Sequence, residues 1–109
     1  MLPDAGDIHW AELDPVLGSE QAGRRPVLIL TARTLHEVSR RALVCPITSR
    51  RLTWSTTIPL PDGMKLSGAV LADQIRAVDR AARIHDFIET APDAVLAQVR
   101  AKLAAILGL

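Results

Sequence analysis

The residues best suited to chemistry lie in the segment 18–26, whose sequence is GSEQAGRRP. Ser19, Glu20 and Gln21 supply hydrogen-bonding groups, and the adjacent Arg24 and Arg25 supply fixed positive charge. A guanidinium is a planar fork that contacts two phosphate oxygens at once, so this composition predicts a site for a phosphate-bearing ligand. The alternative is a polar loop with glycine hinges and no ligand.

Charge is sorted along the chain, although the net charge is only +1. Residues 1–20 carry five acids and no base, residues 21–60 carry seven arginines against one glutamate, and the two signs cancel in residues 61–109. The basic middle includes Arg50 and Arg51. An arginine-rich segment in a near-neutral chain favours a phosphate-bearing ligand, and a solvated face that forms ion pairs with the acidic start is the alternative.

Length and composition are those of one globular domain, which we expect to span residues 1–109. Of the 109 residues, 49% are hydrophobic and 23% are charged, and no apolar run approaches the ~20 residues that a membrane helix needs. No basic segment precedes an apolar one at the N-terminus, as it would in a secretory leader. We therefore expect a cytoplasmic protein that does not associate with membranes.

The cysteine and histidine content argues against several kinds of site. The single cysteine, Cys45, cannot form an internal disulfide, and its apolar neighbours predict a small buried side chain rather than a nucleophile. His9, His36 and His85 are far apart in the sequence, and none has a partner at metal-ligand spacing. We expect no metal site and no cofactor.

A mostly β fold must position these groups. Short apolar runs separated by glycine and proline turns predict six strands, at 8–13, 27–31, 42–47, 56–60, 69–72 and 75–78. Residues 32–41 lack this alternation and are compatible with a short helix. The order of elements predicts a strongly bent antiparallel sheet or a partly open barrel.

The end of the chain predicts one amphipathic helix that packs on this sheet. Thr90 is a candidate cap, Pro92 suits the first turn, and Gly108 can end the helix. Apolar residues at spacings of three and four, namely Leu96, Val99, Leu103 and Ile106, form the predicted buried stripe.

Three ordered motifs resemble the MazF/PemK family of toxin endoribonucleases. They are Gly6-Asp7-Ile8 with Trp10 and the loop that ends at Arg25-Pro26, then Pro46-Ile47-Thr48, then residues 71–76 (LADQIR) followed by Val78-Asp79. The resemblance runs from about Asp4 to Leu107. It implies a small SH3-like (CcdB-like) antiparallel β-barrel with a C-terminal helix, and metal-independent cleavage of single-stranded RNA at preferred sequences. It also implies a homodimer neutralised by a MazE-like antitoxin.

Carried over by position, the resemblance places the essential arginine at Arg25 and the essential threonine at Thr48. It places Ser19, Glu20 and Gln21 in the loop that contacts RNA, and Gln74 in a further block of the site. The doubled arginine at Arg24 and the pair Arg50 and Arg51 depart from many relatives and would strengthen the positive potential around the RNA.

The chemistry fits these residue types. When a 2′-OH attacks its own phosphorus, charge builds on the phosphoryl oxygens, and a fixed guanidinium such as Arg25 stabilises that charge. Thr48 would orient a phosphate oxygen by hydrogen bonding. Glu20 is the best candidate for the general base, because an arginine has a pKa far above neutrality. An ion pair between Glu20 and Arg24 or Arg25 is the alternative.

A different class of function competes with this interpretation. The CcdB toxins bind gyrase without catalysis, share the barrel-plus-helix fold and depend on a tryptophan near the C-terminus. This chain ends in AILGL, without a tryptophan, and has both Arg25 and Thr48. The sequence therefore favours the ribonuclease over a CcdB-like toxin that binds a protein.

Overall fold

The computed structural model describes residues 1–13 and 23–109. The strands are β1 (Asp7–Glu12), β2 (Arg24–Ile29), β3 (Arg41–Thr48), β4 (Thr57–Pro59), β5 (Ala69–Leu71), β6 (Arg76–Asp79) and β7 (Ile84–Thr90). The helices are α1 (Arg33–His36), α2 (Arg80–Arg83) and α3 (Asp93–Leu107), and a single 3₁₀ turn covers Ala72–Gln74.

The strands form one antiparallel sheet in the order β4-β5-β3-β2-β1-β7, with β6 also paired to β3. β3 is the longest strand and its two ends have different partners: Arg41 to Val44 pair with β6, whereas Ile47 and Thr48 pair with β5. Among the described residues, the terminal strands β4 and β7 do not pair with each other. The predicted mainly antiparallel β fold with a C-terminal helix is confirmed, and the sheet of the described residues is not closed into a barrel.

Both faces of the central strands are buried, because alternate residues pack into two separate apolar clusters. On β2, Leu28 packs in a cluster with Val95, Val99 and Leu103 of α3, whereas Val27 and its neighbour two residues on pack in a second cluster on the other face. Burial on both faces fixes the register of β2, since a slip of one residue would exchange the two sets. The ends of β2 and β3, which carry the candidate site, are therefore firmly placed.

Two strands differ from the sequence prediction. β2 begins at Arg24, three residues before the predicted start, so Arg24 and Arg25 belong to a strand and not to the loop before it. β7 was missed because none of its residues is fully buried; as an edge strand it shows little of the apolar alternation that marks a half-buried strand.

The C-terminal helix is confirmed, but its start and its buried face differ from the prediction. Thr90 does not cap α3: it ends β7, and its hydroxyl donates to Asp7 Oδ1 at 3.0 Å. The buried stripe is Val95, Val99 and Leu103, and Ile106 is 43% exposed. Gly108 ends the helix as predicted, with a left-handed φ of 71°.

Candidate active site

The first of two neighbouring pockets at the end of β3 is rich in arginine. Arg24, Arg25, Trp10, Ser49 and Ser67 are among the residues that line it, and its volume is about 320 Å³. The guanidinium carbon of Arg24 lies 5.3 Å from the centre of the Trp10 ring, a cation–π contact that holds this arginine at the rim. We call this space the arginine pocket. Positive charge and two hydroxyls suit it to a phosphate group.

The second pocket combines an aromatic ring with polar side chains of both charges. Thr48, Arg50, Trp54, Asp73 and Gln74 line it together with two leucines, and its volume is about 280 Å³. Trp54 is 58% exposed, so much of its surface is open to a ligand. We call this space the tryptophan pocket.

The end of β3 separates the two pockets. Ile47 and Ser49 line the arginine pocket, and Thr48 and Arg50 line the tryptophan pocket, as expected for successive residues of an extended chain. The β2–β3 ladder pairs Val27 with Pro46. Continuing that register by two residues brings Arg25 opposite Thr48.

Thr48 is held in place by β5 and by the chain that follows it. It is only 4% exposed and pairs with Ala69 of β5, while its Oγ1 accepts a hydrogen bond from the backbone N–H of Arg50 at 3.3 Å. Because the hydroxyl accepts this bond, its own hydrogen remains available to a ligand. Gly68 lies against the Thr48 carbonyl so closely that a Cβ there would overlap the oxygen.

The remaining predicted residues are distributed unevenly. Arg50 and Gln74 lie in the tryptophan pocket with Thr48. Arg51 instead lies beside another surface pocket, and its guanidinium contacts the exposed carboxylate of Asp62 at 3.8 Å. Ser19, Glu20 and Gln21 lie outside the described residues.

Cys45 is fully buried, as the sequence predicts. Burial raises the pKa of its thiol to about 12, with a smaller contribution from the charge of Asp73, so it remains protonated near neutral pH and is a poor nucleophile. In residues 1–13 and 23–109, no three histidine, cysteine or acidic side chains are grouped to hold a metal ion. The described helices include none long and apolar enough to cross a membrane.

Five polar or aromatic pocket residues were not site candidates in the sequence analysis: Trp10, Ser49, Trp54, Ser67 and Asp73. Trp10 and Asp73 lie inside the motifs that carried the resemblance, so their position was a usable signal. Ser49 and Trp54 lie outside those motifs, and Ser67 carried no such signal because only the pairing of β3 with β5 brings the segment before β5 to the end of β3.

A family model described as PemK-like, MazF-like toxin of type II toxin-antitoxin system matches residues 4–107. This chain belongs to that family. Endoribonuclease PemK from Escherichia coli is 35% identical over 108 residues, which cover 95% of this chain and 81% of that protein. The match with the family spans both pockets.

Solved structures of MazF agree with this assignment. MazF from Deinococcus radiodurans superposes with a TM-score of 0.94 at 39% identity, covering 100% of this chain and 99% of that one. In a MazE–MazF structure from the same organism, a chain superposes with a TM-score of 0.86 at 38% identity, covering 100% of this chain and 98% of that one.

Proposed function

We propose that this MazF/PemK-family protein is an endoribonuclease toxin that cleaves single-stranded RNA at preferred sequences without a metal ion. The observation that carries the proposal is the placement of Arg25 and Thr48 at the adjoining ends of β2 and β3, with a pocket on either side. A scissile phosphate seated over the end of β3 would meet the Arg25 guanidinium and the Thr48 hydroxyl together.

In the proposed reaction the RNA supplies its own nucleophile. The 2′-oxygen forms a bond to the adjacent phosphorus as the bond from phosphorus to the 5′-oxygen breaks. The products are a 2′,3′-cyclic phosphate, which water can open to a 3′-phosphate, and a 5′-OH end. Arg25 stabilises the charge that develops on the phosphoryl oxygens, and Thr48 donates to one of them. DNA lacks the nucleophile and is not cleaved.

We assign the general base to Glu20. A carboxylate near the 2′-OH can accept its proton, whereas an arginine holds its own proton far above neutral pH. The 5′-oxygen of the leaving group takes a proton from water as its bond to phosphorus breaks, and the proton held by Glu20 returns to water. The alternative role for Glu20, an ion pair with Arg24 or Arg25, predicts no change in the pH dependence of cleavage when Glu20 becomes glutamine.

We propose that further residues hold the RNA on either side of the scissile phosphate. They are Ser19, Gln21, Arg24, Arg50, Arg51 and Gln74. Arg24 and Arg50 line the two pockets, one on each side of the end of β3, so the RNA backbone would cross that strand end.

We also propose that the protein acts in the cytoplasm, as a homodimer of the single domain 1–109, under the control of a MazE-like antitoxin. The arginine-rich residues 21–60 favour an acidic antitoxin segment that competes with RNA for the same guanidinium groups. Simultaneous binding of antitoxin and RNA with unchanged affinities would exclude this competition.

The test is incubation of the purified protein with EDTA and a long single-stranded RNA, beside the same sequence as DNA. We expect discrete cuts in RNA only, with cyclic or 3′-phosphate ends. Arg25→Ala should lower the cleavage rate on the order of 100- to 1000-fold. The matched control is Arg100→Ala, an exposed arginine on α3 that should cleave normally. Glu20→Gln should change the pH–rate profile.

The CcdB-like alternative makes the opposite prediction. If this protein were a toxin that only binds another protein, the fully folded wild type would leave RNA intact. Cleavage that persisted in Arg25→Ala would support the proposed ribonuclease activity but contradict the proposed role of this arginine. Thermal unfolding of each variant separates a loss of chemistry from a loss of fold.

A further inference from the structure

The tryptophan pocket has features that phosphate binding does not explain. Its volume of about 280 Å³ leaves room for one planar base. It holds an exposed tryptophan and a carboxylate, and a carboxylate repels phosphate. A role in binding the RNA backbone therefore accounts for Arg50 and Thr48 but not for Trp54 or Asp73.

The carboxylate of Asp73 has no hydrogen-bonding partner among the described residues. It is exposed and makes no hydrogen bond or ion pair with any described residue, although Arg50 lines the same pocket. Its backbone is well anchored, because the preceding Ala72 is fully buried, donates its N–H to the Thr56 carbonyl at 3.1 Å and accepts from the Cys45 thiol at 3.9 Å. The carboxylate is thus free to bind a ligand from a fixed position.

Trp54 is exposed on a loop whose backbone is held by hydrogen bonds. Its carbonyl accepts hydrogen bonds from both the N–H and the hydroxyl of Thr57, at 3.1 and 2.9 Å. An exposed indole on an anchored backbone offers a flat surface on which an unstacked base can lie, and base–aromatic stacking is tolerant of sequence. Trp54 would therefore supply affinity, and Asp73 would supply selection among bases.

We propose that the tryptophan pocket recognises a guanine base of the RNA next to the cleaved phosphate, with the base stacked on Trp54 and its Watson–Crick edge hydrogen-bonded to Asp73. Guanine presents two adjacent donors, N1–H and the N2 amino group, that match the two oxygens of a carboxylate. Adenine and cytosine place an acceptor nitrogen beside their single amino group, and uracil places two carbonyl oxygens beside its single N–H, so each brings an acceptor towards the Asp73 charge. Thr48 lines the same pocket, which places the recognised base beside the proposed reaction centre.

This inference rests on the proposed function, since it needs RNA at the end of β3. The experiment first maps wild-type cuts on a long RNA and aligns them around the cleaved bond. We expect guanine at one fixed position within two nucleotides of that bond. Short RNAs that carry guanine, inosine, adenine, cytosine or uracil at this position are then compared by kcat/KM.

For the wild type we expect guanine to exceed adenine, cytosine and uracil on the order of 10- to 100-fold, with inosine between them because it lacks the N2 amino group. Asp73→Asn should reduce these differences to a few-fold without changing the thermal transition, and Asp73→Glu should retain the preference for guanine. The matched control is Asp86→Asn, an exposed aspartate on β7 that should retain the full preference. Trp54→Ala should weaken all five substrates alike.

Cuts without a guanine preference at any nearby position, or an unchanged preference in Asp73→Asn, would overturn the inference and leave the ribonuclease intact. Absence of any cleavage would instead count against the proposed function. In that case the affinities of the same five RNAs, measured by fluorescence anisotropy, still decide whether Asp73 selects guanine.

Discussion

At the scale of single residues, the two central side chains of the proposed site have different surroundings. Arg25 is exposed near the start of β2 and lines the arginine pocket, where its guanidinium can contact a phosphate. Thr48 is almost fully buried, with its hydroxyl bonded to the Arg50 backbone. An exposed arginine tolerates substitution more readily than a buried threonine, so the two positions need different variants to test their roles.

For Thr48, the informative pair of variants is Thr48→Val and Thr48→Ser. Valine keeps the branched shape but removes the hydroxyl, and we expect cleavage to fall on the order of 100-fold because a donor to the phosphate is lost. Serine keeps the hydroxyl and loses a buried methyl, which should cost about 1 kcal/mol of stability and little activity. Single-turnover rates and urea denaturation measure the two effects separately.

Equal activity in Thr48→Val and the wild type would show that Thr48 acts only by packing.

At the scale of elements, the site depends on how β3 meets β5. Thr48 is the last residue of β3, and the segment that leads into β5 passes directly across its carbonyl at Gly68. Gly68 has a φ of +120°, a conformation that residues with a side chain rarely adopt, and a Cβ added to it would overlap the carbonyl oxygen of Thr48. The close approach of these two backbones requires glycine at this position.

We expect Gly68→Ala to destabilise the protein on the order of 3 kcal/mol, from backbone strain and from the clash with Thr48. The control is Gly63→Ala, which has a similar positive φ of +94° but no atom within 4 Å of an added Cβ, and should cost roughly 1 to 2 kcal/mol. Urea denaturation of both variants gives the comparison. Similar losses in the two would mean that Thr48 moves aside at little cost.

At the scale of the whole molecule, the net charge of +1 hides a strongly basic region. All of the positive charge in residues 21–60 comes from arginines, and three of them, Arg24, Arg25 and Arg50, line the two pockets. Binding of a polyanion to such a surface releases counterions and weakens as salt is added. The same surface would attract an acidic antitoxin segment.

We expect the logarithm of RNA affinity to fall linearly with the logarithm of salt concentration. Arg50→Ala should reduce the magnitude of the slope by about 0.7, the contribution of one phosphate contact on a single strand. Arg100→Ala, on the exposed face of α3, should leave the slope unchanged. The measurement uses an RNA whose cleaved position lacks the 2′-OH, so that binding is followed without reaction. Equal slopes in the wild type and Arg50→Ala would place Arg50 away from the RNA backbone.

The sequence by itself determined the family, the mainly β fold, the closing helix and the buried state of Cys45. These follow from local patterns, such as apolar alternation, turn residues and the order of motifs. It also named Arg25 and Thr48 as a pair, through the resemblance. It missed β7, because an edge strand with no fully buried residue carries little alternation to detect.

Only the tertiary structure decided which of the candidate residues share a pocket. Thr48, Asp73 and Gln74 meet because the 3₁₀ turn after β5 lies beside the end of β3, and Arg51 lies apart from them beside Asp62. It also showed that Thr48 is buried and that Gly68 crosses its carbonyl. Local sequence patterns specify how a residue sits within its own strand, whereas contacts between distant segments depend on long-range pairing and register, which no local pattern contains.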